Sequence, residues 1–399
     1  CPQLQFSRRV PVCAHVRRSQ NVGSMALTWR KLAWRLARTL HAMPMPRVLS
    51  HVALLLVQVA ALVWITRFTP LAAGFPLDDA WIHQLVARNF ATTGVLGALP
   101  DRPLSGATSL LYPCLLALNF RFFELPPSLF TSLLNGGLYV LAGHLFLLGL
   151  LRDGQNHLDA TLAATLGAIS GNWVWFAVSG MEVSLLVTLL LLSALQWAAP
   201  SASTRSATFA GAWLALAFGV RPEAAALLLA LLCSARLCRR SLRQLVCAAA
   251  PLLLAVLSYA VLTAGGGPST TRGRRWMWLE GLQGVSAEAR VLNFATCWAD
   301  RLAHYVLGLQ ELELFWLVAG FAVVGVVLTL DERRRTLCVL CCLQLCHFLT
   351  FAILMPTEGH GGRYQPLGTL LFIPLAWLGA VGISRLLLAR YARAHRRVW

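Results

Sequence analysis

Apolar residues fall in long runs along this chain, separated by short polar segments. Crossing the hydrocarbon of a bilayer takes about 20 apolar residues. Runs of that order cover 49–66, 127–150, 159–177, 181–198, 207–220, 224–237, 244–264, 312–330, 336–355 and 367–389. The pattern predicts an all-α integral membrane protein, a polytopic bundle of about ten transmembrane helices. The stretch 107–120, ATSLLYPCLLALNF, is too short to span and is interrupted by Pro113, so it reads as a helix lying along the membrane surface. Residues 1–48 are irregular and Arg-rich and read as a basic cytoplasmic leader, with Met25 as an alternative start. Residues 49–399 then form the transmembrane domain, with a first outer loop at 67–126 and a second at 265–311.

Composition agrees with this reading: 57% of the residues are hydrophobic and only 13% charged. Charge adds the orientation. The net charge is +18, from 34 basic residues of which Lys31 is the one lysine. In a soluble protein that excess would suggest nucleic acid; in a polytopic chain it reads as cytoplasmic loop charge. Alternating the spans from a cytoplasmic N-terminus puts Arg152, Arg205, the cluster Arg236 to Arg243, Arg333 to Arg335 and the tail from Arg385 onward on the inside with the leader. Both termini are then cytoplasmic. Of the 16 acidic residues only Asp153, Asp159, Asp331 and Glu332 fall on that side. Cys338, Cys341, Cys342 and Cys346 lie at helical spacing in an apolar run and read as small core side chains, not a disulfide scaffold or a zinc site.

The outer side collects five polar patches. Asp78 and Asp79 stand together just past the first span; one could cap the helix that follows and favour its dipole. A second ionisable group at the membrane boundary is a functional candidate. SGATS at 105–109 contributes Thr108 and Ser109, and SGME at 179–182 contributes Glu182. In VRPE at 220–223, Pro222 opens a helix, whereas Arg221 and Glu223 are either a local salt bridge or part of a site. EGHGGRYQP at 358–366 carries His360, Arg363 and Tyr364 among glycines that let backbone approach a ligand; an arginine fork there suits a phosphate. His83 and His360 could ligate a metal or act as hydrogen-bonding polar groups. In the loop 265–300, Arg272, Arg274 and Arg275 with Trp276 and Trp278 could anchor at the headgroups, hold a lipid phosphate or stack on a sugar. The chain has no P-loop, GxSxG, HExxH or dinucleotide fingerprint.

In this order, DDAWIHQLVARNFATTG, SGATSLLYPCLLAL, SGMEVSLL, VRPEAAAL and GRYQPL resemble the polytopic GT-C glycosyltransferases, in the branch containing the mycobacterial-type arabinofuranosyltransferases and related bacterial lipid-linked-sugar transferases. The likeness runs from Phe75 to Pro374. It implies a GT-C-like bundle with an outer-face active site in a bacterial inner membrane. The implied reaction is an inverting transfer of a sugar from a polyprenyl-phosphate donor to a hydroxyl of a cell-envelope glycan, glycolipid or glycoprotein. On that resemblance Asp78 or Asp79 is the general base, with Asp78 favoured and Asp79 positioning the acceptor or a metal. Arg363, Arg221 and Arg88 would meet the donor phosphate. Glu182 and Glu223 would bind acceptor hydroxyls or orient the arginines, and Tyr364, His360, Thr108 and Ser109 would line the substrate. No cofactor is fixed by the resemblance, and a divalent cation, Mg or Mn, stays open; the implied partners are donor, acceptor and membrane lipids, without nucleic acid. The sequence departs from the family at TSLL, where Thr-Ser-Pro-Leu is common, and at GMEV, where Gly-Met-Glu-Thr is common. The alternative is a transporter or flippase of lipid-linked sugars, which would place polar residues near the membrane midplane in broken helices; these spans are almost uniformly apolar.

Overall fold

The computed structural model describes residues 45–68, 74–106, 109–201, 203–264, 283–307, 312–354 and 363–396. Contacts divide the chain into residues 1–49 and 50–399. Of the first unit only the opening turn of one helix is described, and the leader up to residue 44 lies outside the described residues.

Helix α1 (Met45–Phe68) is followed by α2 (Asp78–Thr93) and α3 (Leu111–Leu118), which runs on as a π turn over Asn119–Phe123. Next come α4 (Pro127–Arg152), α5 (His157–Ala168), α6 (Gly171–Val178) and α7 (Val183–Trp197). Helix α8 (Thr204–Val220) leads through a 3-10 turn at Pro222–Leu227 into α9 (Leu228–Ala235). The chain continues as α10 (Leu242–Leu262), α11 (Ala287–Arg301), α12 (Leu312–Asp331), α13 (Arg335–Leu354) and α14 (Pro366–Arg396). No strand occurs among the described residues. Local chemistry sets many of the boundaries: Asn156, Ser203 and Ser286 cap their helices through their side chains, and Ser241 forms a capping box with Gln244.

Six of these helices, α1, α4, α10, α12, α13 and α14, are long and apolar enough to cross a membrane. A seventh span results if α5 and α6, bent by 59° at their junction, are taken together. The chain is therefore a helical, multi-pass membrane protein, with fewer full-length spans than the apolar runs suggest. The difference lies in α7, α8 and the Pro222–Ala235 segment. Helix α7 has 15 residues and all but Leu192 and Gln196 are buried inside the protein. It is the centre of the bundle, packed on α4 and α8, with α8 in turn against α10. A helix hydrophobic on every side is a core helix, and protein rather than lipid surrounds this one. Helix α10, with only Gln244, Ala248 and Leu252 buried, is peripheral. The interrupted segment after Ser109 does form a helix, α3, which packs on α2. The α13 cysteines are free thiols, with Cys338 buried against the Thr329 carbonyl.

Two ends of the bundle can be told apart along α7. Beyond its Trp197 end, Arg240 donates to the carbonyls of Trp197 and Ala199, at 2.8 and 3.1 Å from Nε and Nη2. At the same end Asp153 accepts from the backbone N–H groups of Thr336 and Leu337, and Arg385 pairs with Asp159. Among the described residues, Arg240 and Arg385 of the arginines expected on the cytoplasmic side lie here, with Asp153 and Asp159 of the acids expected with them. The aspartate doublet lies at the opposite end, with Glu182.

Close helix crossings rest on glycine. A Cβ on Gly211 of α8 would run into the Ala248 carbonyl of α10, and one on Gly325 or Gly379 would strike backbone across the α12–α14 contact. Small residues at such crossings let backbones approach, which drives association where lipid removes the hydrophobic difference. Gly320 of α12, by contrast, faces open space. Gly379→Val is expected to destabilise the protein by roughly 2–3 kcal/mol and Gly320→Ala by less than about 1 kcal/mol. Thermal melting of the two variants in the same detergent checks the contrast; equal melting temperatures would refute the packing assignment.

Candidate functional site

The aspartates open α2 at its first two positions. The residue before them, Leu77, is extended (φ −121°, ψ 135°), and no side chain caps the helix. The capping role open to one aspartate is thus not used, and the pair acts on the helix only through its dipole. Successive helical residues point about 100° apart, so the doublet divides. Asp78 is exposed and has no ion-pair partner among the described residues. Asp79 is half-buried, its Oδ2 2.6 Å from Nη1 of Arg363. His83, one turn on and on the Asp79 face, points inward and is buried.

Its partner comes from the turn between α6 and α7. Gly180 there has φ +82°, a conformation glycine adopts freely. A Cβ at this position would collide with the Phe75 ring and Ala80, so glycine is what lets the first turn of α2 settle on this turn. Two polar side chains hold it. Tyr112 donates through its hydroxyl to the Gly180 carbonyl at 3.1 Å. Asn135 of α4 donates to the Tyr112 hydroxyl and to the Met181 carbonyl at 3.0 and 2.9 Å. Glu182 follows, 1% exposed. Its Oε2 lies 3.1 Å from His83 Nε2 and its Oε1 2.5 Å from Arg221 Nη2. Burial alone would raise the carboxyl, but the Arg221 charge and then His83 outweigh it and hold Glu182 well below the usual carboxylate range.

Arg221 ends α8, and Pro222 opens the 3-10 turn as its fixed φ allows. The local salt bridge with Glu223 is not the main pairing: the guanidinium reaches Glu182, 39 positions away in sequence, while buried Glu223 adds its field. Burial would lower Arg221, and the two carboxylates raise it above its ordinary value. Tyr364 completes the cluster. Its ring stacks on Phe351 at 5.0 Å and carries both guanidiniums, Arg221 at 4.6 Å and Arg363 at 4.9 Å from its centroid. Arg363 also donates to the Tyr364 hydroxyl at 2.9 Å. The Arg363 side chain is 8% exposed, and its Nε has no hydrogen-bond partner among the described residues.

Asp79, Glu182, Glu223, Arg221, Arg363 and Tyr364 therefore come together from four separate segments. The fifth patch joins them indirectly: Leu110 N–H bonds the Gly219 carbonyl at 2.9 Å, beside Arg221. Ser109 is buried and accepts from the Tyr112 N–H at the approach to α3. Arg88 does not belong to the cluster. It is exposed on α2, nine residues beyond Asp79 and so roughly 13 Å further along the axis. Thr108, His360 and the loop arginines and tryptophans from Arg272 to Trp278 lie outside the described residues. Among the described residues no three His, Cys, Asp or Glu side chains converge as a metal set; His83 is engaged by Glu182. Sequence reasoning missed Tyr112 and Asn135, and left His83 open between a metal ligand and a hydrogen-bonding polar group, of which the contact with Glu182 is the second. A lone asparagine within the apolar stretch of α4 was the available signal.

Glu182→Gln is expected to cost about 3–5 kcal/mol, because it leaves Arg221 buried without its contact partner. The double variant Glu182→Gln/Arg221→Met is expected to recover much of that loss, as removal of both charges does elsewhere. Thermal or denaturant unfolding of the four-member cycle reads the coupling, and additive losses would refute it. The folded value of Glu182 lies below its unfolded one. Its stabilisation is therefore complete above the ordinary carboxylate value of about 4.3 and lost as pH falls through the depressed folded value.

No family model, curated protein or solved structure matches this chain.

Proposed function

We propose that the end of the bundle carrying Asp78 is the active site of a glycosyltransferase that moves a sugar from a polyprenyl-phosphate donor to an acceptor hydroxyl. One observation carries the reading most directly. Of two adjacent carboxylates at a membrane boundary, one is engaged by a buried arginine and the other is exposed without an ion-pair partner among the described residues. An unengaged carboxylate beside fixed positive charge is what a general base with an anionic leaving group requires.

In the proposed reaction Asp78 takes the proton of the acceptor hydroxyl as its oxygen bonds to the anomeric carbon. The bond from that carbon to the phosphate oxygen breaks, and polyprenyl phosphate leaves with the electron pair. A phosphate needs no protonation to leave, so one base suffices. Arg363, whose Nε is still available among the described groups, supplies positive charge for the leaving phosphate. Arg221 is held more deeply, by Glu182, and acts through the shared Tyr364 ring. Among the described residues no three His, Cys, Asp or Glu side chains converge where a divalent cation could be held.

Transport of a lipid-linked sugar would need a polar path along the bundle. The central helix α7 is apolar apart from Ser184, Thr188, Ser193 and Gln196; Thr188 and Ser193 donate to backbone carbonyls at 2.7 and 2.9 Å. That favours catalysis at one end over passage through the middle.

Asp78→Asn is expected to lower turnover by roughly 10²–10⁴-fold, the usual worth of a general base, with donor KM little changed. Asp79→Asn is expected to act mainly on donor KM, because it releases Arg363. Membranes containing each variant at equal expression, assayed with radiolabelled polyprenyl-phosphate sugars, give both quantities. Full activity in both variants rules the assignment out.

A further inference from the structure

At the end of the bundle away from the aspartates the structure holds a cavity of about 350 Å³. Three connections line it: Arg152 and Asp153 after α4, Ala198 to Pro200 after α7, and Arg333, Arg335 and Thr336 at the junction of α12 and α13. Helix α7 separates it from Glu182 by 15 residues, roughly 22 Å, so it is no part of the site described above.

The charges around the cavity do not cancel. Asp153 places both carboxylate oxygens on the N–H groups of Thr336 and Leu337, at 3.0 and 2.9 Å. Glu332 is engaged by Arg334, its Oε2 2.6 Å from Nε, and Arg240 by the carbonyls at the end of α7. Asp331 sits nearby on the same junction, at the end of α12. The side chains of Arg152, Arg333 and Arg335, by contrast, have no ion-pair or hydrogen-bond partner among the described residues, although all three residues line the cavity. Arg333 also has φ +52° at the end of α12, a backbone position where glycine is the least strained choice. A bulky cation there is a local cost that the helix junction does not itself require. Leu195, Ala198, Ala199 and Pro200 add apolar residues to the lining.

Three arginines with unengaged side chains lining one cavity with apolar residues match a phosphate attached to something greasy. We propose that this cavity binds a phosphate group, and that its source is the headgroup of an anionic phospholipid, with the glycerol end against Ala198 to Pro200. Basic recesses between helices on the cytoplasmic side suit such headgroups, and the arginine distribution puts this end there. The inference does not depend on the sugar-transfer reading.

The test uses the whole protein in detergent, with phosphatidylglycerol, phosphatidylcholine or inorganic phosphate added in separate arms. Native mass spectrometry counts retained lipid, and a melting curve reads protection in every arm. Phosphatidylglycerol is expected to be retained and protective, phosphatidylcholine not, and inorganic phosphate only weakly. In the triple variant R152Q/R333Q/R335Q retention is expected to fall by about tenfold or more, as befits loss of the charge-assisted contacts, while R236Q, an exposed change at the same end, leaves it unaltered. Should the triple variant not fold, raising the salt concentration on the wild-type protein supplies the second measurement, because a charge-held headgroup is released by salt. Protection by inorganic phosphate equal to that by phosphatidylglycerol overturns the lipid source. Retention that ignores headgroup charge, or that survives both the triple variant and salt, overturns the site.

Discussion

Two guanidiniums buried at one end of an apolar helical bundle are the constraint from which the rest of the described site follows. A charge taken out of water costs several kcal/mol unless an opposite charge meets it at contact distance. Arg221 and Arg363 are each less than a tenth exposed, so each needs an acid in place. The acids come from elsewhere in the chain: Glu182 from the turn before α7, Asp79 from the start of α2. Each pairing fixes one segment end against another, and the Tyr364 ring ties the two pairs together by lying under both cations. Glycine at 180 and the hydroxyl of Tyr112 are then consequences, because the α6–α7 turn must come close to α2 for Glu182 and His83 to meet.

Much of this architecture was legible in the order of apolar and polar residues. The six full-length spans correspond to six of the apolar runs, and among the described residues Arg240 and Arg385, assigned to one side, lie at one end of the bundle. What hydropathy did not reveal is where an apolar run breaks or what surrounds it. Residues 159–177 read as one span although the chain bends by 59° near Ser170 and Gly171, since the residues on either side are apolar in both conformations. Residues 181–198 read as a transmembrane span, whereas α7 is a 15-residue helix buried at every position but Leu192 and Gln196. A hydropathy average has the same value for a lipid-facing helix and for a core helix.

The site was legible as a set of patches and not as a set of pairs. Adjacency in sequence made Arg221 and Glu223 look like partners, but neighbouring residues at a helix end diverge, and the contact goes to Glu182. Arg88 entered through a resemblance, and the helical repeat carries it along the axis away from the cluster. His83 was visible only as a lone histidine. Its role depends on lying one turn from Asp79, so that both project toward the interior, and this follows once the helix is known to begin at Asp78. Asn135 and Tyr112 act on backbone carbonyls, and a polar side chain in an apolar run marks the position without naming the carbonyl it meets.

The aspartate doublet itself shows how helix geometry turns repetition into division of labour. Two carboxylates on adjacent residues of a loop could share one cation. At the first two positions of a helix they cannot, because the backbone turns them to different sides. Asp79 meets Arg363 and is tied down, and its charge is partly compensated there, which lessens its repulsion of Asp78. Asp78 keeps its solvent exposure at the positive end of the α2 dipole. Under the proposed chemistry the two needs of the reaction, a fixed cation and a mobile proton acceptor, are then met by one dipeptide. The two positions are therefore unequal although the residues are identical: the first faces solvent and the second faces the arginine.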